Sequence, residues 1–259
     1  MQKTIICIPA RYASTRLPGK PLIEIAGISL IQRVWQIAKS VRGVDGVYVA
    51  TDDQRIAEHV HSFGGIAVMT ASDLENGTER CRAALDAGKI DADIVLNLQG
   101  DAPLTPPWVI EALVKIMQDT SIEMATPALA LEGEALAKFL EEKRETPQSG
   151  TCVVMDKTGH ALYFSKAVLP NTRHGPHRVY RHIGLYAYRT EVLHRFCALP
   201  QSPLEAIEKL EQLRALENGI RIKIVPVDYR GRAVASVDAP EDVGRVEAIL
   251  AAQGDFHVD

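Results

Sequence analysis

The chain has 259 residues, of which 46% are hydrophobic and 24% are charged, and its formal net charge at pH 7 is -4. This length and apolar content allow a substantial buried core and are typical of one α/β domain with an appended lobe. The acidic balance argues against a nucleic-acid-binding protein, which normally carries a basic excess. Since no apolar stretch approaches the ~18 residues of a membrane span, we expect a soluble protein with no membrane partner.

The four cysteines, Cys7, Cys81, Cys152 and Cys197, are scattered along the chain without CxxC spacing. At least Cys7 and Cys152 lie in apolar runs that resemble strands, which favours reduced core thiols over disulfides or zinc ligands. The first apolar run ends at Pro9 and is too short for a signal peptide. These observations predict a cytoplasmic location.

The first predicted element is a strand followed by a basic loop. Residues 5–8 form a nearly all-apolar run ended by Pro9, which is typical of a strand buried on both faces of a parallel sheet. The loop carries Arg11, Arg16 and Lys20 and no acidic residue, and its prolines and glycine disfavour a helix. Ligands of open α/β sheets bind beyond the carboxyl ends of strands, so we expect these cations to face a phosphate chain. The alternative is a solvated basic loop without a function.

Two common nucleotide motifs are absent from this loop. It contains neither the GxxxxGK[ST] pattern of a P-loop nor the GxGxxG fingerprint of dinucleotide-binding proteins. The second absence argues against a nicotinamide-dependent enzyme.

Strands and helices alternate through most of the chain. Short strand, helix, strand units predict a doubly wound parallel sheet, because parallel strands need a crossover long enough to hold a helix. The apolar periodicity predicts strands over 47–50, 66–69, 93–98, 124–131, 151–155, 161–164, 180–188, 220–227 and 233–237. It predicts helices that follow Ser29 and Asp53, then helices over 78–87, 106–117, 133–145 and 204–218 and one that begins after Asp238. Residues 171–178 are polar and aperiodic, which predicts a mobile or partner-facing loop.

Arg80 lies in the first turn of the helix that Thr78 is predicted to cap. A cation at that end opposes the helix dipole, which an anionic ligand would explain. A surface ion pair with Glu79 or Asp73 explains it equally well.

Two aspartates are candidates for a metal site. Asp101 follows a buried strand, and Mg²⁺ prefers carboxylate oxygens while sharing its other sites with water and substrate phosphates. An Asp after a Gly is also a common turn residue. Asp238 precedes the last helix, where an N-cap is its ordinary use.

Polar side chains also mark the later part of the chain. The strand alternation over 180–188 places His182, Gly184, Tyr186 and Tyr188 on one face, which is either solvent-exposed or ligand-facing. Glu211 falls near the middle of the apolar side of the predicted helix 204–218. A buried carboxylate needs a partner, which is either Arg214 or the hydroxyl groups of a ligand.

Eight motifs in this order resemble the 3-deoxy-manno-octulosonate (Kdo) cytidylyltransferases over nearly the whole chain. The motifs are ARYASTRLPGKPL, ATDD, NGTER, NLQGDAPL, ALYFSK, RHIGLYAY, IEKLEQLRALENG and VDAPEDV. The resemblance implies one nucleotidyltransferase domain with a Rossmann-like, glycosyltransferase-A-like sheet and a smaller antiparallel lobe. Its nucleotide-binding core would span about 1–130 and 220–259, and its sugar-binding and dimerisation lobe about 131–219.

The resemblance also implies roles for individual residues. Arg11, Arg16 and Lys20 would hold the triphosphate of CTP, with Arg16 and Lys20 also in catalytic roles. Ala10, Arg80, Gln99 and the loop around Gly77 would place the nucleotide. The sugar acid would contact Gln99, Lys166, His182, Tyr186 and Glu211. Asp101 and Asp238 would hold Mg²⁺ and share in catalysis.

The implied activity is a cytoplasmic, Mg²⁺-dependent homodimer that joins CTP to Kdo, giving CMP-Kdo and pyrophosphate for lipopolysaccharide synthesis. The chain departs from the family pattern at Ala102, where Glu is usual, and at Lys166, where Arg is usual. The ammonium of Lys166 is a point charge, whereas an Arg guanidinium can bind a carboxylate through two hydrogen bonds. This difference bears on which acid sugar is the substrate. The alternatives are a cytidylyltransferase for 8-amino-Kdo or a sialic-acid-like sugar, and a non-catalytic nucleotide-binding protein of the same fold.

Overall fold

The computed structural model describes residues 2–14, 16–171 and 178–256. The chain forms two compact units. Unit 1 contains Met1–Val114 and Tyr229–Asp259, and unit 2 contains Lys115–Asp228. The sequence placed the corresponding boundaries near 130 and 220. Most of the loop predicted over 171–178 lies outside the described residues.

The structure has twelve strands and nine α-helices in its described part. The strands are β1 (Thr4–Ala10), β2 (Glu24–Ile25), β3 (Ile28–Ser29), β4 (Gly46–Thr51), β5 (Ile66–Met69), β6 (Ile94–Leu98), β7 (Met124–Leu131), β8 (Thr151–Met155), β9 (Ala161–Ser165), β10 (Val179–His182), β11 (Leu185–Arg189) and β12 (Ile222–Val227). The helices are α1 (Leu30–Ser40), α2 (Gln54–Ser62), α3 (Gly77–Gly88), α4 (Pro107–Ile116), α5 (Gly133–Glu145), α6 (Thr190–Cys197), α7 (Pro203–Glu208), α8 (Gln212–Glu217) and α9 (Pro240–Gln253).

Unit 1 is built on a parallel sheet in the order β5-β4-β1-β6. Each of these strands is followed by a helix, which confirms the predicted alternation. Residues 5–8 of β1 and all of β6 are buried, as their apolar runs predict. The strand order reverses between β1 and β6, so the carboxyl ends of these two strands form a topological switch point, where open α/β sheets bind ligands.

Unit 2 carries a mixed sheet with mainly antiparallel pairing. β10 and β11 pair with β7, β8 pairs with β10, and β9 pairs with β8, all antiparallel, while β12 runs parallel to β7. The predicted hairpin is confirmed as β8 and β9. Together with the parallel sheet of unit 1, this confirms an α/β fold that combines a parallel sheet with a more antiparallel lobe.

Four local predictions were wrong. The helix predicted over 204–218 is interrupted at Lys209, whose φ of 57° no α-helix allows, and forms α7 and α8. The strand predicted over 180–188 is divided into β10 and β11 at 183–184, and residues 233–237 form no strand. In the basic loop, where no helix was expected, Lys20–Leu22 form one 3-10 turn, which tolerates Pro21 near its start.

No helix in the described part of the chain is long and apolar enough to cross a membrane. None of the four cysteines, all of which are described, is in a disulfide. Cys7, Cys81 and Cys152 are buried, which confirms core thiols at these positions.

Candidate nucleotide-binding site

The basic loop after β1 is folded back on its own start. The carbonyl oxygen of Tyr12 accepts hydrogen bonds from the backbone N–H groups of Ser14 (2.9 Å) and Gly19 (3.0 Å). The guanidinium of Arg55 lies 3.5 Å from the centroid of the Tyr12 ring. Arg55 also donates two hydrogen bonds to Asp53, which caps α2 and whose pKa is lowered by this contact. The start of the loop is therefore braced by the first turn of α2.

Lys20 joins the two predicted metal-binding aspartates. Its Nζ lies 2.8 Å from Oδ2 of Asp101 and 3.6 Å from Oδ1 of Asp238. Arg16 donates to the same Oδ1 of Asp238 at 3.1 Å, and Ser236 donates to Oδ2 at 3.2 Å. Two acids and two cations that are distant in sequence therefore meet at one point of unit 1.

Backbone contacts bring the two aspartates together. The backbone N–H of Val237 donates to the carbonyl oxygen of Asp101 at 2.9 Å. Asp101 is also held close to β1, because a Cβ at Gly100 would lie 2.6 Å from the carbonyl oxygen of Pro9. Glycine at position 100 thus allows the ends of β1 and β6 to approach each other.

Asp238 is not the N-cap of α9. The backbone N–H groups of Asp238 and Ala239 donate to Oδ2 of Asp242 at 2.8 and 2.9 Å. Burial acts to raise the pKa of Asp242, but these hydrogen bonds hold it below its usual value. Since Asp242 serves the helix start, the carboxylate of Asp238 remains directed at Arg16 and Lys20.

Arg80 has a different partner from those that sequence reasoning considered. It is 2% exposed, its Nη2 lies 3.2 Å from Oδ2 of Asp52, and its Nη1 donates to Thr70 (2.7 Å) and to the carbonyl oxygen of Ala71 (3.2 Å). The prediction of a Glu79 or Asp73 pair was therefore wrong. Asp52, an acid of another element, pairs with the cation at the start of α3.

The start of α3 also differs from prediction. Asn76 is the N-cap, since its side chain accepts from the backbone N–H of Glu79 at 2.9 Å. Thr78 instead accepts a hydrogen bond from Asn97 on β6. A Cβ at Gly77 would lie 2.9 Å from Cγ of Pro9, so glycine there lets α3 pack against the end of β1.

These groups line a cavity of about 340 Å³ in unit 1. Its lining includes every unit 1 residue that the sequence proposed for the site: Ala10, Arg11, Arg16, Lys20, Gly77, Arg80, Gln99, Asp101 and Asp238. It also includes residues that sequence reasoning did not select: Pro9, Ser14, Pro21, Leu74, Glu75, Asn76 and Gly100. The pocket has a cationic wall from the basic loop and an acidic corner at the two aspartates.

The other proposed residues, Lys166, His182, Tyr186 and Glu211, are in unit 2. The ring of His182 lies 5.1 Å from that of Phe164 on β9 and 5.5 Å from that of Tyr186 on β11, between ring centroids. Lys166 follows β9 directly. The strand face expected to carry His182 and Tyr186 is therefore present, although it spans two strands.

His182 is a buried neutral imidazole. Its Nε2 lies 2.8 Å from Oγ1 of Thr126, and that hydroxyl also contacts the carbonyl oxygens of Leu185 (2.7 Å) and Ile183 (3.3 Å). Because the hydroxyl has one proton to give to these carbonyls, Nε2 must be the donor and Nδ1 the acceptor of His182. Burial lowers the pKa of His182 to about 3, which agrees with the neutral form.

Tyr186 contacts a residue that the sequence analysis missed. Its hydroxyl donates to Oε1 of Gln212 at 2.9 Å. Burial raises the pKa of Tyr186, and the negative charge of Glu211 raises it further. Arg214, the expected partner of Glu211, instead pairs with Glu205 through contacts of 2.6 and 2.8 Å. The helical periodicity of the sequence gives no signal for the break at Lys209, and so none for the pair of Glu205 on α7 with Arg214 on α8.

A parallel sheet whose order reverses beside a charged pocket places the chain among the nucleotide-binding α/β proteins. More particularly, the chain belongs to the cytidylyltransferase family, whose model matches residues 5–222.

The curated relatives include a 3-deoxy-manno-octulosonate cytidylyltransferase of Maricaulis maris, 55% identical over 96% of this chain and 97% of the relative. The one from Desulfatibacillum aliphaticivorans is 44% identical over 96% and 98%. Among solved structures, a CMP:2-keto-3-deoxy-manno-octonic acid synthetase complexed with CTP has a TM-score of 0.87 and 40% identity, covering 97% of this chain and 99% of that one. The resemblance inferred from the motifs is thereby confirmed.

Proposed function

We propose that this chain transfers the cytidylyl group of CTP to Kdo, forming CMP-Kdo and pyrophosphate for lipopolysaccharide synthesis. Relatives with this name match nearly the whole chain, and the solved neighbour holds CTP. The structural observation that carries the proposal is the contact of Lys20 with both Asp101 and Asp238 at the switch point of the sheet. A reaction between two anions needs cations at one place, and a pair of carboxylates there can hold a divalent metal ion.

Arg11, Arg16 and Lys20 form the proposed triphosphate site. All three line the pocket, and Arg16 and Lys20 now contact carboxylates that a bound phosphate chain would replace. Arg80 has a different role, because Asp52 already offsets its charge. It holds residues 70–71 against the site, while Ala10, Gly77 and Gln99 complete the nucleotide pocket.

Asp101 and Asp238 fit a magnesium site. Their oxygens are hard ligands that converge within 3.6 Å of one ammonium, so their side chains already face a common positive charge. Among residues 2–14, 16–171 and 178–256, no cluster of three or more His, Cys, Asp or Glu side chains could hold a metal. The pair of Asp101 and Asp238 suits Mg²⁺, because this ion keeps several water ligands and takes others from substrate phosphates. When bound, Mg²⁺ would neutralise phosphate charge and polarise the reacting phosphoryl group.

Lys166, His182, Tyr186 and Glu211, all in unit 2, form the proposed sugar-acid site. The Lys166 ammonium supplies charge for the carboxylate of the sugar. His182 offers Nδ1 as an acceptor for a sugar hydroxyl, since its Nε2 is committed to Thr126. Tyr186 keeps its proton because its pKa is raised, and Glu211 supplies carboxylate oxygens for hydroxyl donors.

The reaction follows from positioning and charge. The anomeric hydroxyl of Kdo releases its proton to solvent water as its oxygen forms a bond to the α-phosphorus, and the bond from that phosphorus to the bridging oxygen of the β-phosphate breaks to release pyrophosphate. Arg16 and Lys20 stabilise the charge that grows on the leaving pyrophosphate. Holding the two substrates in line removes much of the entropic barrier, so no covalent intermediate is needed.

The proposal includes a cytoplasmic homodimer. Unit 2 exposes two large apolar side chains, Leu162 on β9 and Ile207 on α7, at 62% and 76%. These two side chains are the candidate contacts with a second copy. Size-exclusion chromatography with light scattering tests the oligomeric state.

The deciding experiment measures pyrophosphate release by the purified protein with CTP, Mg²⁺ and a panel of 2-keto sugar acids. We expect the highest kcat/KM with Kdo, and none of the activity when CTP is replaced by ATP. The panel includes 8-amino-Kdo and a sialic acid. Turnover with one of these acids but not with Kdo would change the substrate assignment, and binding of CTP without turnover of any acid would contradict an enzymatic role.

A further inference from the structure

The backbone N–H and C=O groups of Lys166 are both hydrogen-bonded to charged side chains. On the amide side, the backbone N–H of Lys166 donates to Oε2 of Glu208 at 3.1 Å. On the carbonyl side, its oxygen accepts a hydrogen bond from Nζ of Lys143. Both contacts bridge elements that are distant in sequence, because Glu208 ends α7 and Lys143 lies in the last turn of α5.

Lys143 is an unusual cation because it is buried and bound to carbonyl groups. It is 8% exposed, and besides Lys166 it donates to the carbonyl oxygens of Gly150 (2.6 Å) and Pro147 (3.3 Å). In the described part of the chain no carboxylate oxygen lies within ion-pair distance of its Nζ. Burial lowers the pKa of Lys143. Since burying a charge is costly even when carbonyl oxygens accept its hydrogen bonds, the place of Lys143 beside Lys166 calls for a reason.

Glu208 is also directed at the end of β9. Its Oε1 accepts hydrogen bonds from the hydroxyl groups of Ser165 (2.7 Å) and Tyr163 (3.4 Å). Lys209, at φ 57°, ends α7 directly after Glu208. A carboxylate in the last turn of a helix is disfavoured by the helix dipole, so these donors account for its position.

We propose that Lys143 and Glu208 are positioning residues that hold the Lys166 peptide, and thereby its ammonium, in place for the carboxylate of the sugar acid. The inference rests on the proposed function of Lys166. A lysine on a flexible stem gains less from each contact than a planar arginine, so a fixed backbone reduces the entropy lost on binding. The buried charge of Lys143 adds positive potential at the same strand end.

The kinetic test compares Lys143→Met and Glu208→Gln with the exposed α5 controls Lys138→Met and Glu141→Gln. Removing a hydrogen bond to a charged group should raise KM for Kdo by about tenfold. KM for CTP should stay within about twofold in both variants, and the controls should match the wild type. An equal rise in both KM values would contradict a role specific to the sugar acid.

A double-variant cycle separates positioning from general stability. If Lys143 and Glu208 act through Lys166, each substitution should change KM for Kdo by less than about twofold when Lys166→Met is already present. Additive effects would overturn the proposal. If Lys143→Met fails to fold, Glu208→Gln carries the test, because its side chain is only half-buried and keeps its volume.

Hydrogen exchange tests the holding of the peptide without turnover. Peptides that cover Lys166 should exchange about tenfold faster in Glu208→Gln, since this amide loses its charged acceptor. Unchanged exchange would overturn the proposal even if the wild type is fully active. A wild type without Kdo-dependent pyrophosphate release would instead overturn the proposed function, and the exchange result would still decide whether the two side chains hold the peptide.

Discussion

Unit 1 and unit 2 arrange their candidate binding groups in different environments. In unit 1, the side chains of Arg16, Lys20, Asp101 and Asp238 lie outside the strands and α-helices, are partly exposed, and neutralise one another. In unit 2, His182 and Tyr186 lie within strands, buried, and are held by side chains of other elements. Charged loops can exchange an internal partner for a ligand, whereas buried groups present a preformed surface. The comparison predicts that substitutions in unit 1 will affect turnover and that those in unit 2 will also affect stability.

The largest effect is expected for Asp101→Asn. Loss of this carboxylate should lower kcat by about a thousandfold, because charge stabilisation at the reacting phosphates is lost. The Lys20 contact is partly exposed, so we expect the free energy of unfolding to change by less than about 1 kcal/mol. Pyrophosphate release and chemical denaturation measure the two quantities. Asp91→Asn, at an exposed position, is the matched control; a fully active Asp101→Asn enzyme would remove Asp101 from the site.

The next effect concerns the buried Glu205–Arg214 pair of unit 2, whose side chains are 7% and 5% exposed. Glu205→Ala should lower the free energy of unfolding by about 3 kcal/mol, since it leaves a buried guanidinium without its carboxylate. Denaturation in urea measures this change. The double variant Glu205→Leu/Arg214→Met should recover part of the loss, and Glu141→Ala, on the exposed face of α5, should cause none. If Glu205→Ala lowers the free energy of unfolding by less than about 1 kcal/mol, water reaches the Arg214 guanidinium and the pair is not a buried one.

A pH effect of about 2 kcal/mol is expected from His182. Its folded pKa of about 3 lies below the unfolded value of 6.5, so the unfolded state binds the proton first as the pH falls. The stability that neutral His182 contributes is therefore complete above pH 6.5 and is lost progressively toward pH 3. Between pH 6.5 and 5, the wild type should lose about 2 kcal/mol more than His182→Gln. Exposed His61→Gln should keep the wild-type slope, and parallel curves for all three proteins would contradict a buried neutral His182.

The smallest effect is expected at the brace between α2 and the basic loop. Arg55→Ala removes an exposed cation–π contact with Tyr12, and should raise KM for CTP by about two- to threefold through a less ordered loop. KM for Kdo should not change. Arg82→Ala removes a comparable surface pair with Asp86 on α3 and is the control. An Arg55 variant with equal changes in both KM values would indicate a general effect on the fold.

Much of unit 1 was predictable because its signals are local. Apolar runs identified β1 and β6, and parallel strands direct their carboxyl ends to one edge, so Arg11, Arg16, Lys20 and Asp101 could be expected near each other. Asp238 was different, since its distance in sequence from Asp101 leaves an N-cap equally plausible. Its assignment depended on family resemblance, and the structure then showed Asp242 in the capping role.

Unit 2 was less predictable because its side chains choose among partners that are distant in sequence. The helical periodicity over 204–218 is genuine, yet Lys209 adopts a positive φ that no periodicity encodes. After this break, Arg214 of α8 pairs with Glu205 of α7, the helix before it. The Arg80–Asp52 pair of unit 1 was unpredictable for the same reason, since an ion pair between two elements depends on how they pack.

The sequence alone determined the α/β class, the alternation of short strands and helices that builds a parallel sheet, the basic loop and the family of this chain. These features depend on hydrophobic periodicity, turn chemistry and motif order, all of which are local or sequential. Tertiary structure alone decided that Lys20 contacts both Asp101 and Asp238, that Asp52 offsets Arg80, and that Lys143 and Glu208 hold Lys166. Each of these is a choice among several charged partners, and only the packed chain sets the distances and desolvation that decide it.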